Sequence, residues 1–331
     1  MNAVHEAARS PDFADVVAAA GRLQPWLKRT PLLSSDEFDA LCGRQVFMKC
    51  ENWQHGRSFK YRGALNALLV RPRSTAESAV GTHSSGNHGT ALALAARSLG
   101  IDCHVVVPRD AASVKLQNVR AAGARVWVSE PGLDAREKRL AALQTQFGLH
   151  LVHPFDDARV IAGAGTAALE MLAERPDLAV LAAPIGGGGL IGGTALAARG
   201  AATGCCVVAA EPAAADDAYR SFRSGERQTL AGPPDTIADG LRGSIGALNF
   251  ELLRRHVDDV VTVSEEEIRE AMRQVLRLFG MLIEPSSAVP VAAALAGRIG
   301  APGERIGIIL SGGNVDFSGC PFLAGSPLLS G

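Results

Sequence analysis

The sequence predicts an α/β fold of two lobes, with mainly parallel sheets and flanking helices. Three observations carry that expectation. Short apolar runs alternate with helical patterns along most of the chain, the order that βαβ units leave in a sequence. Turns rich in glycine and serine sit where a strand hands over to a helix. The 331 residues exceed what one hydrophobic core normally serves, so a large lobe with a smaller one inserted accommodates them.

Taken in order, the expected strands are VFMKC (46–50), SAVGTHS (78–84), CHVVVP (103–108), RVWVSE (125–130) and LHLVHP (149–154). LAVLAAPI (178–185), CCVVAAEP (205–212), DVVTVSE (259–265) and RIGIILSGG (305–313) follow. Each is a run of β-branched or apolar residues suited to a sheet buried on both faces. A first helix is expected from Ser10 to Leu27, with Ser10 as its cap and Pro11 in its first turn. Another runs from Ser264 to Phe279, where Ser264 and Glu267 have the spacing of a capping box. Polar breaks at 72–77 and 153–157 place the small lobe at 75–153, inside a large lobe made of 1–74 and 154–331.

Charge and composition exclude several functions. A net charge of -1 offers no basic field for phosphate backbones or anionic lipids, and 5% aromatic residues is sparse for base stacking. Nucleic acid is therefore not an expected partner. No charge occurs between Asp177 and Arg199, yet Pro184 and four successive glycines interrupt that stretch. It reads as strand, loop and helix, with no membrane span expected. The six cysteines are scattered without a CxxC pair, and MNAVHEAARSPDF lacks the basic head and apolar run of a signal peptide. A reducing, cytoplasmic setting is expected.

Chemistry concentrates at four strand ends. In Arg57-Ser58-Phe59-Lys60-Tyr61-Arg62-Gly63, capping by Ser58 would put Lys60 in a helix's first turn. There the macrodipole and two flanking arginines disfavour another positive charge and lower the amine's pKa. A neutral amine attacks carbonyls, which suits a Schiff-base lysine, whereas the plain alternative is a solvated helix-start lysine. Thr82-His83-Ser84-Ser85-Gly86-Asn87-His88-Gly89 offers free backbone N–H groups and neutral donors to a carboxylate or phosphate. Pro184-Ile185-Gly186-Gly187-Gly188-Gly189-Leu190 has the form of a phosphate cup before a helix. It matches neither a P-loop nor GxGxxG with an early acidic residue, so a nucleotide-dependent oxidoreductase is only a distant alternative. Ser311-Gly312-Gly313-Asn314 ends the last strand, and Ser311 could offer a hydroxyl to a ring nitrogen.

Together SFKYRGA, SSGNHG, PIGGGGL and SGGN, in this order, resemble the fold-type II pyridoxal-phosphate enzymes, specifically the serine/threonine dehydratase and serine racemase family, whose fold is like that of the tryptophan synthase β chain. The likeness spans about Thr30 to Asp316. It implies that Lys60 holds pyridoxal phosphate as a Schiff base and moves the Cα proton, with Phe59 packed beside the ring. It implies that Asn87 bonds the ring hydroxyl, that Gly186, Gly187, Gly188, Gly189 and Leu190 hold the phosphate, and that Glu284 and Ser311 complete the cofactor shell. Ser84, Ser85, Asn87, His88 and Arg136 would bind the substrate. A serine facing the ring nitrogen cannot keep it protonated as a carboxylate would, which favours elimination over transamination.

The loop from Ala209 to Asp217 resembles serine racemase, and that likeness assigns Glu211, the Ala215 carbonyl and Asp217 to a divalent cation, Mg²⁺ or Ca²⁺. Ser85 matches the residue that exchanges the second proton in the racemase, while His153-Pro154-Phe155-Asp156-Asp157 looks like threonine dehydratase. Thr90 and Ala164 stand where the family carries glutamines, which leaves substrate size open. Only Phe317 to Gly331 follow SGGNVD, so no C-terminal regulatory domain is expected. The resemblance thus implies a homodimeric dehydratase of L-serine, L-threonine or a related β-hydroxy amino acid. The alternatives are an amino-acid racemase with side dehydratase activity and, less well supported, a non-catalytic cofactor-binding sensor.

Overall fold

A computed structural model describes residues 9–71, 79–84, 86–111, 113–201 and 204–315. Its strands are β1 (Leu32–Leu33), β2 (Gln45–Cys50), β3 (Val80–Thr82), β4 (Cys103–Pro108), β5 (Arg125–Ser129), β6 (His150–Leu151), β7 (Val180–Pro184), β8 (Cys206–Pro212), β9 (Asp259–Val263) and β10 (Arg305–Leu310). Six form a sheet in the order β1-β2-β10-β7-β8-β9, and four form a second sheet in the order β5-β4-β3-β6. Every pairing is parallel except β1 with β2. The second sheet is drawn wholly from residues 80–151. The polar break expected at 72–77 lies outside the described residues.

The helices are α1 (Phe13–Leu23), α2 (Asp36–Cys42), α3 (Lys60–Leu69), α4 (Asn87–Ser98), α5 (Ser113–Ala121), α6 (Leu133–Phe147), α7 (Ala158–Glu174), α8 (Gly189–Gly200), α9 (Asp217–Ser224), α10 (Ala247–His256), α11 (Glu265–Phe279) and α12 (Pro285–Leu295). They cover both faces of the large sheet, and its strands alternate accordingly. Leu181, Ala183, Val207 and Ala209 point into the core under α7 and α8. Val180, Ala182, Val208 and Ala210 point into the core under α11 and α12. Two-sided burial is why these strands read as continuous apolar runs.

Capping decides where helices begin. The expected box of Ser264 and Glu267 opens α11, with both reciprocal bonds made. For α1 the expectation of Ser10 and Pro11 is corrected: Asp12 is the cap, Asp15 returns the bond, and the helix ends at Leu23 instead of Leu27. Arg9 bonds both carboxylates, so the acidic pair gives this start more partners than Ser10 could supply.

Two helix contacts place the site. A Cβ on Gly63 of α3 would lie 2.7 Å from the Val160 carbonyl of α7, and one on Gly165 of α7 would lie 2.6 Å from the Gly193 carbonyl of α8. Here α7 meets both neighbours backbone to backbone, which only glycine permits. In the large sheet, β10 returns between β2 and β7, so the strand order reverses there. Ligands of parallel sheets bind beyond the carboxyl ends of strands at such a reversal. The segments after β2, β7 and β10 are those that the sequence singles out.

Candidate active site

Lys60 is the first residue of α3. The loop before it turns through Gly56 and Arg57 at φ values of 66 and 55 and is stitched to the tip of β10. Ser58 bridges Gly312, Phe59 N–H donates to the Ser311 carbonyl at 3.0 Å, and Gly313 N–H donates to the Arg57 carbonyl at 3.0 Å. Ser58 Oγ accepts from Lys60 N–H at 3.1 Å, which is the capping contact expected, although Phe59 stands between them as the formal cap residue. The amine of Lys60 donates to the Pro154 carbonyl at 2.8 Å and lies 5.0 Å above the Phe59 ring.

Burial pushes this amine down to about 8, and the Glu284 carboxylate pulls in the opposite direction. The direction agrees with the sequence expectation, but the cause is different. Arg57 is exposed, and Arg62 is turned into a buried ion-pair network. With its pKa near 8, roughly a tenth of the amine is neutral at pH 7, against well under a thousandth for an ordinary lysine. Only the neutral form adds to an aldehyde, and its fraction rises with pH until the pKa is passed. The rate of covalent loading of apoprotein by pyridoxal phosphate should therefore climb from pH 6.5 to about 8 and then level. Stopped-flow absorbance would measure it, and a climb continuing to pH 10 would contradict the lowered pKa.

Arg62 is fully buried, and all five of its N–H groups are used. Nε and Nη2 bond Glu51 at 2.7 and 2.8 Å, Nη1 and Nη2 bond Glu170 at 2.7 and 2.9 Å, and Nη1 bonds Thr166 at 3.1 Å. Lys49 adds a second cation, 2.7 Å from Glu170, and Thr30 donates to Glu51 at 2.6 Å. Two cations meet two carboxylates in this network, which Arg62 joins from two residues beyond Lys60 on α3.

The loop after β3 leads into α4, whose cap is Gly86 and whose start has no side-chain cap bond. Among the described residues no side chain caps its first-turn N–H groups. His88 is buried, with Nε2 3.3 Å from the Val152 carbonyl and Nδ1 unpartnered. His153 accepts two backbone N–H bonds at Nδ1, from Phe155 at 3.3 Å and Asp156 at 2.8 Å, so its proton resides on Nε2. The His83 and His153 rings are 5.9 Å apart. Burial lowers the pKa of all three, with His153 pushed down to about 4. Arg136 donates to the carbonyls of Gly132 at 3.3 Å and His83 at 3.5 Å, at the rim of this loop. Ser84 is half-buried here, and Ser85 lies outside the described residues.

The glycine loop after β7 opens α8, again with no side-chain cap and with Gly188 at φ 92. A Cβ on Gly187 would overlap the Phe155 ring at 2.3 Å, so backbone and ring are in direct contact. Asn249 ties the loop down by donating to the Gly187 carbonyl at 2.8 Å and to the Phe155 carbonyl at 3.0 Å. Ala164, one of the departures from the family's glutamines, is buried in the large core. Thr90 is half-buried.

Ser311 is buried beside Glu284, which precedes α12. Asn87 Nδ2 donates to both oxygens of Glu284 at 3.0 and 2.9 Å. Burial raises the Glu284 carboxyl to about 7, and the bond from Asn87 opposes that rise. At the end of β8, Glu211 and Asp217 are both buried. Glu211 Oε1 accepts from Tyr219 N–H at 2.6 Å, and its Oε2 has no partner. Asp217 accepts from Ile245 N–H at 2.8 Å. Burial pushes Glu211 up to about 9 and Asp217 to about 6, each also raised by neighbouring acidic groups. Among the described residues no three His, Cys, Asp or Glu converge as metal ligands. A cation here would rest on two carboxylates and the carbonyl of Ala215, oxygen donors that suit Mg²⁺ or Ca²⁺.

The structure thus brings Lys60, Phe59, Asn87, Glu284 and Ser311 to one sheet edge. Sequence reasoning misses the Pro154 carbonyl, the three-histidine cluster and the anchoring of the glycine loop by Asn249. The HPFDD stretch draws notice in the sequence as a polar break and for its family likeness. Its position after an expected strand is the signal available.

Comparison with known proteins agrees with this geometry. Residues 23–312 match the family model described as pyridoxal-phosphate dependent enzyme. The chain belongs to that family. The chain is 42% identical over 313 residues to the β-hydroxyaspartate dehydratase of Paracoccus denitrificans, covering 94% of this chain and 99% of that one. It is 43% identical to the serine racemase of Dictyostelium discoideum, covering 92% and 95%. A crystal structure of threonine deaminase from T.th. superposes with a TM-score of 0.88 at 41% identity, covering 93% of this chain and 100% of that one. The residues present fit the cofactor of a pyridoxal-phosphate enzyme. A desolvated amine suits its aldehyde, and two helix starts without side-chain caps suit a phosphate and a carboxylate.

Proposed function

We propose that the chain is a dehydratase that removes water from a small β-hydroxy amino acid, L-serine, L-threonine or a relative such as hydroxyaspartate, to give a 2-oxo acid and ammonia. The observation that carries the reading is the Lys60 amine, held 2.8 Å from the Pro154 carbonyl with its pKa lowered to about 8. Bound pyridoxal phosphate supplies an electron sink for the charge that develops at Cα. Lys60 would hold the cofactor until the substrate amine displaces it, and its freed amine would then take the Cα proton. Gly186 to Leu190 hold the phosphate, Phe59 flanks the ring, and Asn87, Glu284 and Ser311 hold its polar edge. Ser84, Ser85, Asn87 and His88 seat the substrate carboxylate, and Arg136 stands at the rim for the rest of the substrate. Ser311 would offer the ring nitrogen a neutral hydroxyl instead of a carboxylate, a partner that favours elimination over transamination. The unsaturated amine released hydrolyses to the oxo acid.

The inserted lobe at 75–153, a homodimer and a cytoplasmic location belong to the same proposal. None of the five described cysteines is in a disulfide. Among the described residues no helix is long and apolar enough to cross a membrane. A second reading, an amino-acid racemase, is favoured by the unpartnered Glu211 Oε2 beside Asp217, which with the Ala215 carbonyl would take Mg²⁺ or Ca²⁺. One experiment addresses all of this. Holoenzyme, with and without chelator, is given a panel of hydroxy amino acids and assayed for oxo acid and for enantiomer composition. Oxo acid without racemised substrate is the expected outcome. Racemised substrate that disappears in Ser85→Ala supports the second reading, and neither product from any substrate refutes both.

A further inference from the structure

Asn314 follows β10, and its side chain forms two hydrogen bonds that carry more than a turn requires. Its Nδ2 donates to the Gly56 carbonyl at 2.9 Å and to Asn87 Oδ1 at 2.8 Å. Asn87 in turn donates from Nδ2 to the Glu284 carboxylate at 3.0 and 2.9 Å. The direction of this chain is fixed at its ends. The Gly56 carbonyl can only accept, so Asn314 must present its amino group on that side. Both of its hydrogens are then used, and Asn87 has to meet the second one with its oxygen. The amino group of Asn87 is left facing Glu284, an acceptor.

An asparagine amide can rotate by half a turn at little steric cost, exchanging donor for acceptor. At Asn87 that rotation would set a carbonyl oxygen against a buried carboxylate. The same relay joins four separate segments: the loop before Lys60, the start of α4, the residue before α12, and the tip of β10. Of these, α4 packs on β3 and β4 of the second sheet. Asn87 is therefore held by a donor and an acceptor that both belong to the large-sheet side.

We propose that Asn314 is a positioning residue that sets the polarity of the Asn87 amide, so that Asn87 Nδ2 faces Glu284 and the ring hydroxyl of the cofactor. The inference rests on the proposed reading of Lys60 as the cofactor lysine. Asn314 need not touch the cofactor, and its effect passes through Asn87.

The test is a double-mutant cycle on cofactor binding, read without turnover. Wild type, Asn314→Ala, Asn87→Ala and the double variant are reconstituted with pyridoxal phosphate. The dissociation constant and the pH midpoint of the visible absorption band are measured, together with the melting temperature of each apoprotein. Loss of a directed bond to a charged group predicts that Asn314→Ala weakens cofactor retention by about tenfold or more and moves the band's pH midpoint. In the Asn87→Ala background the same change should cost less than about twofold, because the residue it acts through is gone. Asn314→Asp keeps the shape and removes both donors, so it should reproduce the loss even where the alanine variant folds poorly. A loaded wild type whose Asn314 variants match it, or whose loss is undiminished without Asn87, overturns this inference alone. A wild type with no borohydride-fixed adduct on Lys60 overturns the parent reading and this one together.

Discussion

Lys60→Ala should lower oxo-acid formation by more than about a thousandfold and abolish the visible band of the reconstituted protein. Loss of a positioned general base costs about 10²–10⁴ in rate, and here the same side chain is also the covalent anchor. Two other lysines are already engaged elsewhere. Lys49 is held in the buried network by Glu170 and the Thr30 carbonyl, and Lys115 is paired with Asp239. Steady-state assays across the substrate panel, with absorbance spectra of the same samples, make the check. A variant that kept a tenth of the activity, or kept the band, would remove Lys60 from the chemistry. Small exogenous amines should restore part of the rate, since the pocket left beside the Pro154 carbonyl then admits a replacement base.

Arg62→Met should destabilise the apoprotein by about 3–5 kcal/mol, because it leaves buried carboxylates without their cation. Met has a similar length, so lost volume contributes little to that figure. Glu51 is fully buried and keeps only its bond from Thr30, while Glu170, partly exposed, keeps Lys49. Urea unfolding followed by fluorescence would measure the loss, and a change under about 1 kcal/mol would show that the four-charge network contributes no net stability. Since Arg62 lies two residues from Lys60 on the same helix, the variant should also load cofactor more slowly at temperatures where it is still folded.

The central strands are legible because burial on both faces leaves uninterrupted apolar runs, and the nine runs in the sequence each hold one strand, the half-exposed β5 included. The two residues of β1 carry no such run and escape notice. At α1, Ser10-Pro11 and Asp12 with Asp15 both have the form of a helix start, and only the folded bond pattern, with Arg9 joining both aspartates, decides between them. The site is legible where short polar and glycine residues cluster at a strand end, as in PIGGGGL and SGGN. It is illegible where the chemistry belongs to the backbone or to a distant partner. The Pro154 carbonyl has no sequence signature. Arg62 announces a charge but not that Glu51 and Glu170 will surround it, which is why the sequence misplaces its influence on Lys60. Asn314 reads as part of a tip, yet its partners at Gly56 and Asn87 stand more than two hundred residues away.

The close seating of α3 and α8 on α7 makes that central helix a gauge. One flank carries the amine at position 60 and the other the glycine cup, and main chain rests on main chain along both seams. No rotamer can absorb a change there. The span between the two ends of any molecule held across them is therefore machined into the scaffold, and a single added methyl on either seam would detune it while leaving every reacting side chain in place.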